Sequence, residues 1–308
     1  MAGTRHLGID LGATNLKWSV VEHDGDAWAV VAQDSVPTRA AGDPEGVPAA
    51  VVAQMAEVAE TANEAWGPLA SVGIGVPGLY DPLAGTVRLL VNLPGPWAGH
   101  PVAASIMAAT GLPVALINDA RAFGLAELRL GAARGASSMV GLTLGTGVGG
   151  VIAVDGRVHQ GHDGTAGELG HQVIDPAGPP CGCGSNGCLE AYARADRIAA
   201  ACGTAGVPEA VAAAQAGNAR AIAGLAEIGR HLAIGIANMI TVIAPDVVVI
   251  GGGVAQAGPP LFDPLLAELR SRVRMTSLDD VSIVLAELGT WAGSIGAAVH
   301  GAERVGLA

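Results

Sequence analysis

The 308-residue chain is half apolar, only 3% aromatic, and carries 28 Asp and Glu against 16 Lys and Arg, for a formal charge of −12. That balance argues against a nucleic-acid-binding surface, which needs clustered Lys and Arg. The length allows two domains, each with a sizeable core, and 46 glycines point to many tight turns and close backbone approaches. Met1-Ala-Gly-Thr-Arg-His6 leads straight into an apolar strand without the h-region of a signal peptide. Two uncharged stretches, Ser137–Val154 and Leu232–Pro245, are poor membrane spans: the first holds five glycines, and the second is short and contains Asn238. The expectation is a cytoplasmic protein with reduced cysteines and no membrane partner.

In chain order, apolar alternation marks two strands around the turn Gly12-Ala13-Thr14-Asn15. The second strand, Trp18–Val21, runs to Asp24-Gly25, and a third is expected over Ala27–Ala32. A turn of Gly, Thr and Asn exposes N–H groups and a hydroxyl, which suits phosphate, although a plain β-turn has the same look. It matches neither a Walker loop nor GxGxxG. Moving from Gly8 to Gly141, a shift of 133 positions, Gly8-Ile-Asp-Leu-Gly12 falls on Gly141-Leu-Thr-Leu-Gly145, and both copies reach an Asp-Gly turn. That recurrence predicts a duplicated domain with two phosphate-facing turns. Asp10 is acidic where Thr143 is neutral, as a carboxylate organising Mg²⁺ would be.

Between the hairpins a helix is expected over Gly46–Trp66, a strand over Ala70–Val76 and a rigid loop at Asn92–Trp97. A helix near Pro101–Thr110, a strand at Leu112–Ile117 and a helix at Ala120–Leu130 follow. Asn118-Asp119 thus lies at the carboxyl end of a strand, where α/β sheets form ligand crevices. The pair is either a helix N-cap, which needs one such residue, or a cap beside a general base.

From Gly167 to Glu190 the chain reads Gly-Glu168-Leu-Gly-His171, nine residues, then Cys181-Gly-Cys183-Gly-Ser-Asn-Gly-Cys188-Leu-Glu190. Three thiolates and an imidazole close a tetrahedral structural zinc site, and Gly182, Gly184 and Gly187 allow a tight loop. The competing reading is a disulfide with spare thiols; zinc is the better one, and Glu168 and Glu190 are left for another task. Helices are expected over Leu189–Ala201, Pro208–Gly217 and Ala219–Ile243, with Cys202 as a small buried hydrophobe. A strand at Asp246–Ile250 meets Gly251-Gly252-Gly253, which is either a flexible loop or a floor for a flat ring. A helix at Pro260–Arg272, a strand at Ser282–Leu285 and a closing helix at Thr290–Val305 complete the chain.

Taken together, the Asp10-Leu-Gly-Ala-Thr14 hairpin, Glu168-x-Gly-His171 with Cys181-x-Cys183-Gly-x-x-Gly-Cys188-x-Glu190, and Ala292-Gly-Ser-Ile-Gly-Ala-Ala298 resemble the ROK family of repressors, open reading frames and sugar kinases. The resemblance covers nearly the whole chain. It implies an α/β, duplicated, actin-like (ribonuclease H-like) fold with two domains around a cleft: residues 1–118, joined by 290–308, and a larger domain over 119–289 with the zinc loop. Regulators of the family carry a helix-turn-helix ahead of the first hairpin. With about seven residues before Gly8, the expectation moves to an ATP-dependent hexose kinase acting on C6, first of all a glucokinase. A kinase for N-acetylmannosamine, fructose or allose, and a non-catalytic sugar sensor, are the alternatives.

By the same resemblance, Asp119 is the catalytic base, while Gly78, Asn118, Glu168, His171 and Glu190 bind the sugar. His171 also joins Cys181, Cys183 and Cys188 on structural Zn²⁺. Asp10, Gly12, Thr14, Asn15 and Lys17, with Gly145, Thr146 and Gly147, take the phosphates of ATP and its Mg²⁺, and Gly251, Gly252 and Gly253 the adenosine. A homodimer or homotetramer is the family's expectation. Two departures stand out: Ala13 replaces a glycine in the first turn, and Asn92-Leu-Pro-Gly-Pro-Trp97 is one residue longer than the family's loop, which bears on hexose preference.

Overall fold

The computed structural model describes residues 3–25, 27–90 and 92–306. Its first stretch forms β1 (Thr4–Leu11), β2 (Asn15–His23), β3 (Trp28–Pro37), α1 (Val47–Trp66), β4 (Leu69–Val76), β5 (Gly78–Asp81), β6 (Thr86–Leu90), α2 (Val102–Thr110), β7 (Val114–Asn118) and α3 (Asp119–Arg129). There follow β8 (Met139–Leu144), β9 (Val148–Val154), β10 (Arg157–Val158), α4 (Leu189–Ala193), α5 (Ala195–Cys202), α6 (Val207–Gln215), α7 (Ala219–Ile243), β11 (Val247–Gly251), α8 (Pro259–Arg272), β12 (Ser282–Leu285) and α9 (Ala292–Arg304). The chain divides into two compact units, one of Met1–Arg134, Gln160–Ala166 and Thr290–Ala308, the other of Gly135–His159 and Gly167–Gly289.

The first unit is built on a five-stranded sheet of order β3-β2-β1-β4-β7. β1 pairs antiparallel with β2 and parallel with β4. Alternation along β1 sends Leu7, Ile9 and Leu11 into one apolar core with Val51, Met55 and Ala59 of α1, all at most 1% exposed. The opposite face is made smooth by glycine so that α9 lies against the strands. A Cβ on Gly8 would strike the Ser294 carbonyl, and one on Gly73 the Ala297 carbonyl. α9 meets α3 equally closely, since a Cβ on Gly296 would strike the Ala122 carbonyl. That packing carries the unit past the Asn118/Asp119 boundary expected from sequence and on to Arg134. Residues Gln160–Ala166 also belong here, held by the Arg121 Nε bond to the Ala166 carbonyl (2.8 Å). The hairpin β5–β6 after Pro77 had no counterpart among the expected elements.

His300 of α9 is 4% exposed. Burial, reinforced by Arg304 and opposed by a bond to the Leu116 backbone, depresses its pKa to about 4. A folded-state pKa below the unfolded value means the unfolded chain binds the extra proton. Stability from this residue is therefore complete above the unfolded pKa near 6.5 and lost as pH falls toward 4, by about 3 kcal/mol at most. Urea unfolding at pH 7 and pH 4.5 is expected to show a smaller acid loss in His300→Gln than in the parent; equal losses would remove His300 from the acid response.

The second unit repeats the plan: its sheet has the order β10-β9-β8-β11-β12, β8 antiparallel to β9 and parallel to β11. The duplication read from the paired Gly/Thr hairpins is thus a duplication of whole five-stranded sheets. The core is centred on α7, whose Leu225, Ile228, Leu232, Ile236 and Ile240 recur at helical spacing and are at most 3% exposed. Its N-terminus is capped by Asn218, which accepts the Ala221 N–H at 3.1 Å. The uncharged run at Leu232–Pro245 proves to be the end of this 25-residue helix. α7 is long and apolar enough to cross a membrane, and half of that stretch is buried inside the unit. The single helix expected over Leu189–Ala201 breaks at Arg194, which is extended (φ −76°, ψ 159°). The Ala195 N–H, released from helical bonding, instead meets the Thr146 carbonyl at 3.4 Å.

Candidate functional site

The first hairpin turn closes with Gly12 N–H on the Asn15 carbonyl (3.2 Å), and Thr38 buttresses it through Oγ1 on the Gly12 carbonyl (2.7 Å). Glycine is needed at position 12, where a Cβ would lie 2.6 Å from the Asn15 carbonyl oxygen. Ala13 is a different case. Asp155 and Ala244 are the non-glycine residues with positive φ among those described, so Ala13 keeps ordinary backbone and its methyl is not strained. Ala13, Thr14 and Asn15 are all exposed.

Asp10 projects from β1 toward the start of α9. A Cβ on Gly293 would lie 2.6 Å from Asp10 Oδ2, and one on Gly75 3.4 Å from Oδ1. Burial raises the Asp10 pKa to about 7; the Asp119 carboxylate adds to the rise and Lys17 opposes it. The two acidic groups are therefore near enough to repel, an arrangement that a hard divalent cation such as Mg²⁺ relieves through oxygen ligands. Lys17, paired across the strands with Asp10, donates to the Thr290 carbonyl (3.1 Å) and lies 6.0 Å from the Trp291 ring centre. It tethers the entry to α9 next to the Asp10 carboxylate.

Asn118 takes the cap of α3: its Oδ1 accepts from Ala120 N–H (3.0 Å) and Arg121 N–H (3.2 Å), and its Nδ2 donates to the Gly78 carbonyl (3.2 Å). Gly78 has φ +143°, and a Cβ there would strike the Leu89 carbonyl. With the cap filled by its neighbour, Asp119 is not required for capping, and its Oδ1 accepts the Ala120 N–H at 2.8 Å. The lengthened loop is anchored by Leu93 and Trp97, 6% and 3% exposed. Trp97 donates its indole N–H to the Pro94 carbonyl (2.9 Å), so Pro94-Gly95-Pro96 forms an exposed bulge between two buried anchors.

In the second unit, the Gly145-Thr146-Gly147 turn closes with Gly145 N–H on the Gly147 carbonyl (3.0 Å). Glu190 Oε2 accepts the Val148 N–H (2.9 Å) and lies so close over Gly147 that a Cβ there would strike it. The Glu168–His171 turn reaches the same place, since a Cβ on Gly170 would strike the Val148 carbonyl. Glu190 and the Glu168–His171 turn thus meet beside Val148, at the turn end of the β8–β9 hairpin. Of the three consecutive glycines, Gly251 ends β11 beside Thr143. Gly252 has φ +90° and would clash with the Leu144 carbonyl if it bore a side chain, and Gly253 has open space. The glycine run therefore abuts the second turn.

His171, Cys181, Cys183 and Cys188 bring their ligand atoms within 4.8 Å of one another. His171 Nδ1 lies 3.6 Å from Cys181 Sγ, and Cys183 Sγ 3.6 Å from Cys188 Sγ. Tetrahedral zinc bonds of ordinary length predict edges of about 3.5 Å and 3.8 Å for those two pairs, so the donors fit zinc. All four cysteines are free thiols, and Cys202 is buried with its Sγ toward the Ala221 carbonyl. Burial pushes the Cys188 thiol up to about 12, whereas the Ser185 N–H holds Cys183 below its usual value. Gly184 and Gly187 have positive φ, and Gly182 does not. Because Nδ1 faces the sulfurs, Nε2 is the imidazole nitrogen directed elsewhere. The seat that Gly293 provides for Asp10 escaped the sequence reading; its one signal was a glycine in the first turn of the closing helix.

A protein-family model described as the ROK family matches residues 6–302. A glucokinase of Thermotoga maritima is 35% identical over 97% of this chain and 98% of its own length. Among solved structures, a ROK hexokinase from Thermus thermophilus is 36% identical with a TM-score of 0.86, covering 98% of this chain and 99% of that one. A ROK family glucokinase from Streptomyces griseus, in complex with glucose and AMPPNP, is 28% identical with a TM-score of 0.79, covering 97% and 99%.

Proposed function

The chain belongs to the ROK family and shares its actin-like two-domain fold, and from that premise we propose that it is an ATP-dependent hexose kinase, with glucose as substrate. The observation that carries the reading is Asp119, set beside Asp10 at the start of α3 while Asn118 supplies the helix cap. Asp119 takes the proton from the C6 hydroxyl as its oxygen bonds to the γ-phosphorus of ATP. The bond from that phosphorus to the β–γ bridging oxygen breaks, and ADP leaves with the electron pair. Asn118 and the Gly78 carbonyl, Glu168, His171 Nε2 and Glu190 hold the sugar hydroxyls. The turns at Gly12–Lys17 and Gly145–Gly147 offer N–H groups to the phosphates, and Gly251–Gly253 lets the adenosine lie flat. Asp10 would hold Mg²⁺, which would supply charge neutralisation on the phosphates. His171, Cys181, Cys183 and Cys188 would hold Zn²⁺, which would fix one tautomer and one orientation of the imidazole. A ligand set of free thiols suits a cytoplasmic enzyme.

The test is ADP release from Mg-ATP across glucose, mannose, fructose, allose, N-acetylglucosamine and N-acetylmannosamine, with zinc per chain measured on the same preparation. Turnover with glucose far above the rest is expected. Preference for another hexose would keep the mechanism and point to the Pro94–Pro96 bulge, and silence on every sugar would overturn the kinase reading. Gly147→Ala is expected to lower kcat/KM about a hundredfold, because the added methyl drives Glu190 off Val148 and a misplacement of about 1 Å is worth that much. Unchanged kinetics would detach Glu190 from sugar binding.

A further inference from the structure

The hairpin that carries the four metal donors has a second fastening that uses no metal. Tyr192, two residues past Glu190 on α4, donates its phenol O–H to Asp175 Oδ2 at 3.0 Å. Asp175 stands at the base of that hairpin: its N–H and that of Ile174 both reach the Gly187 carbonyl (3.4 and 2.9 Å), and its own carbonyl takes the Gly178 N–H (2.9 Å). His231 of α7 covers the phenol ring, with centroids 4.3 Å apart and planes at 27°. Two glycines make the room. A Cβ at Gly178 would strike the Tyr192 hydroxyl, and one at Gly187 the Asp175 carbonyl.

α4 is a five-residue helix whose N-cap, Cys188, forms no side-chain cap bond. A helix of little more than one turn has no stability of its own, so tertiary tethers must set its direction. It carries Cys188 at its head and Glu190 in its first turn. One tether is Glu190 on the Val148 N–H. A second is Leu189, packed against α7 so closely that a Cβ on Gly235 would lie 2.7 Å from it. The third is the Tyr192 hydroxyl. Burial and the Asp175 carboxylate hold that phenol above its ordinary pKa, so it remains the donor.

We propose that Asp175, Tyr192 and His231 form a clasp of positioning residues that holds the metal loop and α4 in register, slowing metal loss and keeping Glu190 aimed at the hexose. The inference rests on the zinc and hexose reading above. Its test compares the parent with Tyr192→Phe, which keeps the ring stack and loses only the bond, and with Asp175→Ala. Zinc per chain is measured first, then zinc transfer to an excess of chromogenic chelator, then hexose KM and kcat at saturating Mg-ATP. Both variants are expected to release zinc about tenfold faster than the parent, the low end for loss of a partner behind the ligands. Their hexose KM is expected to rise severalfold with kcat little changed. A parent without zinc would overturn the metal reading and the clasp together. A zinc-bearing parent whose Tyr192→Phe variant releases metal at the parental rate, even with a lower Tm, would overturn the clasp alone, since ring packing would then be its whole role.

Discussion

Asp119→Asn is expected to lose about a thousandfold in kcat while its dissociation constant for hexose stays within a few-fold of the parent. Asn matches Asp in shape and can still accept the Ala120 N–H, and the helix cap resides on Asn118, so neither α3 nor the β7–α3 junction has reason to move. What disappears is the proton acceptor, and general-base catalysis is worth about 10² to 10⁴ in rate. A second readout comes from Asp10, whose raised pKa owes part of its rise to the Asp119 carboxylate. Neutralising position 119 should lower the Asp10 pKa, which a pH titration of the carboxyl carbon by NMR can follow. Turnover near the parental rate would remove Asp119 from the base role, whatever happened at Asp10.

What could be read from the residues in order is the part written in local chemistry. The two hairpins announce themselves through strand alternation on either side of Gly/Thr turns. Cys181, Cys183 and Cys188 cluster within eight positions, and Asn118-Asp119 follows a strand and opens a helix. Each of these signals needs only neighbours. Illegible were the features set by one backbone passing another. Gly8, Gly73 and Gly296 are glycines because α9 lies against β1, β4 and α3, but 46 glycines give no hint which ones face a helix from the far end of the chain. The same contacts assign α3 to the first unit, and the bond from Arg121 to the Ala166 carbonyl brings Gln160–Ala166 with it. Glu190 is legible by its place in a motif, whereas its grip on Val148 over Gly147 depends on where a later helix docks. The break at Arg194 is of this kind too: helical spacing runs through it, and the pull of the Thr146 carbonyl on Ala195 lies outside the segment.

Asp10→Asn is the substitution in which stability and activity should part. Asp10 titrates near pH 7 in the folded, ligand-free protein against an ordinary value of 3.8. A raised folded-state pKa means the native state holds its proton longer than the unfolded chain does. The associated stability is complete below pH 3.8 and is lost as pH rises through 7. The full shift corresponds to about 4 kcal/mol; Asp10 is only half-buried, and solvent screening reduces the expected cost to about 2 kcal/mol at pH 8. Asn carries no charge at any of these pH values, so without ligand the variant should be the more stable protein at pH 8, by several degrees in Tm, and its advantage should shrink to less than half of that at pH 5. The same change removes the carboxylate proposed to hold Mg²⁺ near the phosphates. Activity should fall by about 10² to 10³, the scale on which single charge-stabilising groups act in transition states. Mg-ATP should then raise the Tm of the parent more than that of the variant. Thermal melts at the two pH values, with and without Mg-ATP, decide the matter. A variant that melts lower than the parent at pH 8 would show that Asp10 is not held against its charge by burial and Asp119. A variant that keeps parental turnover would show that the cation is carried by other groups. The half-buried, mutually repelling carboxylates of Asp10 and Asp119 cost stability in the free protein, and the cation that relieves them arrives only with the phosphates to be cleaved, a trade of stability for function common at catalytic sites.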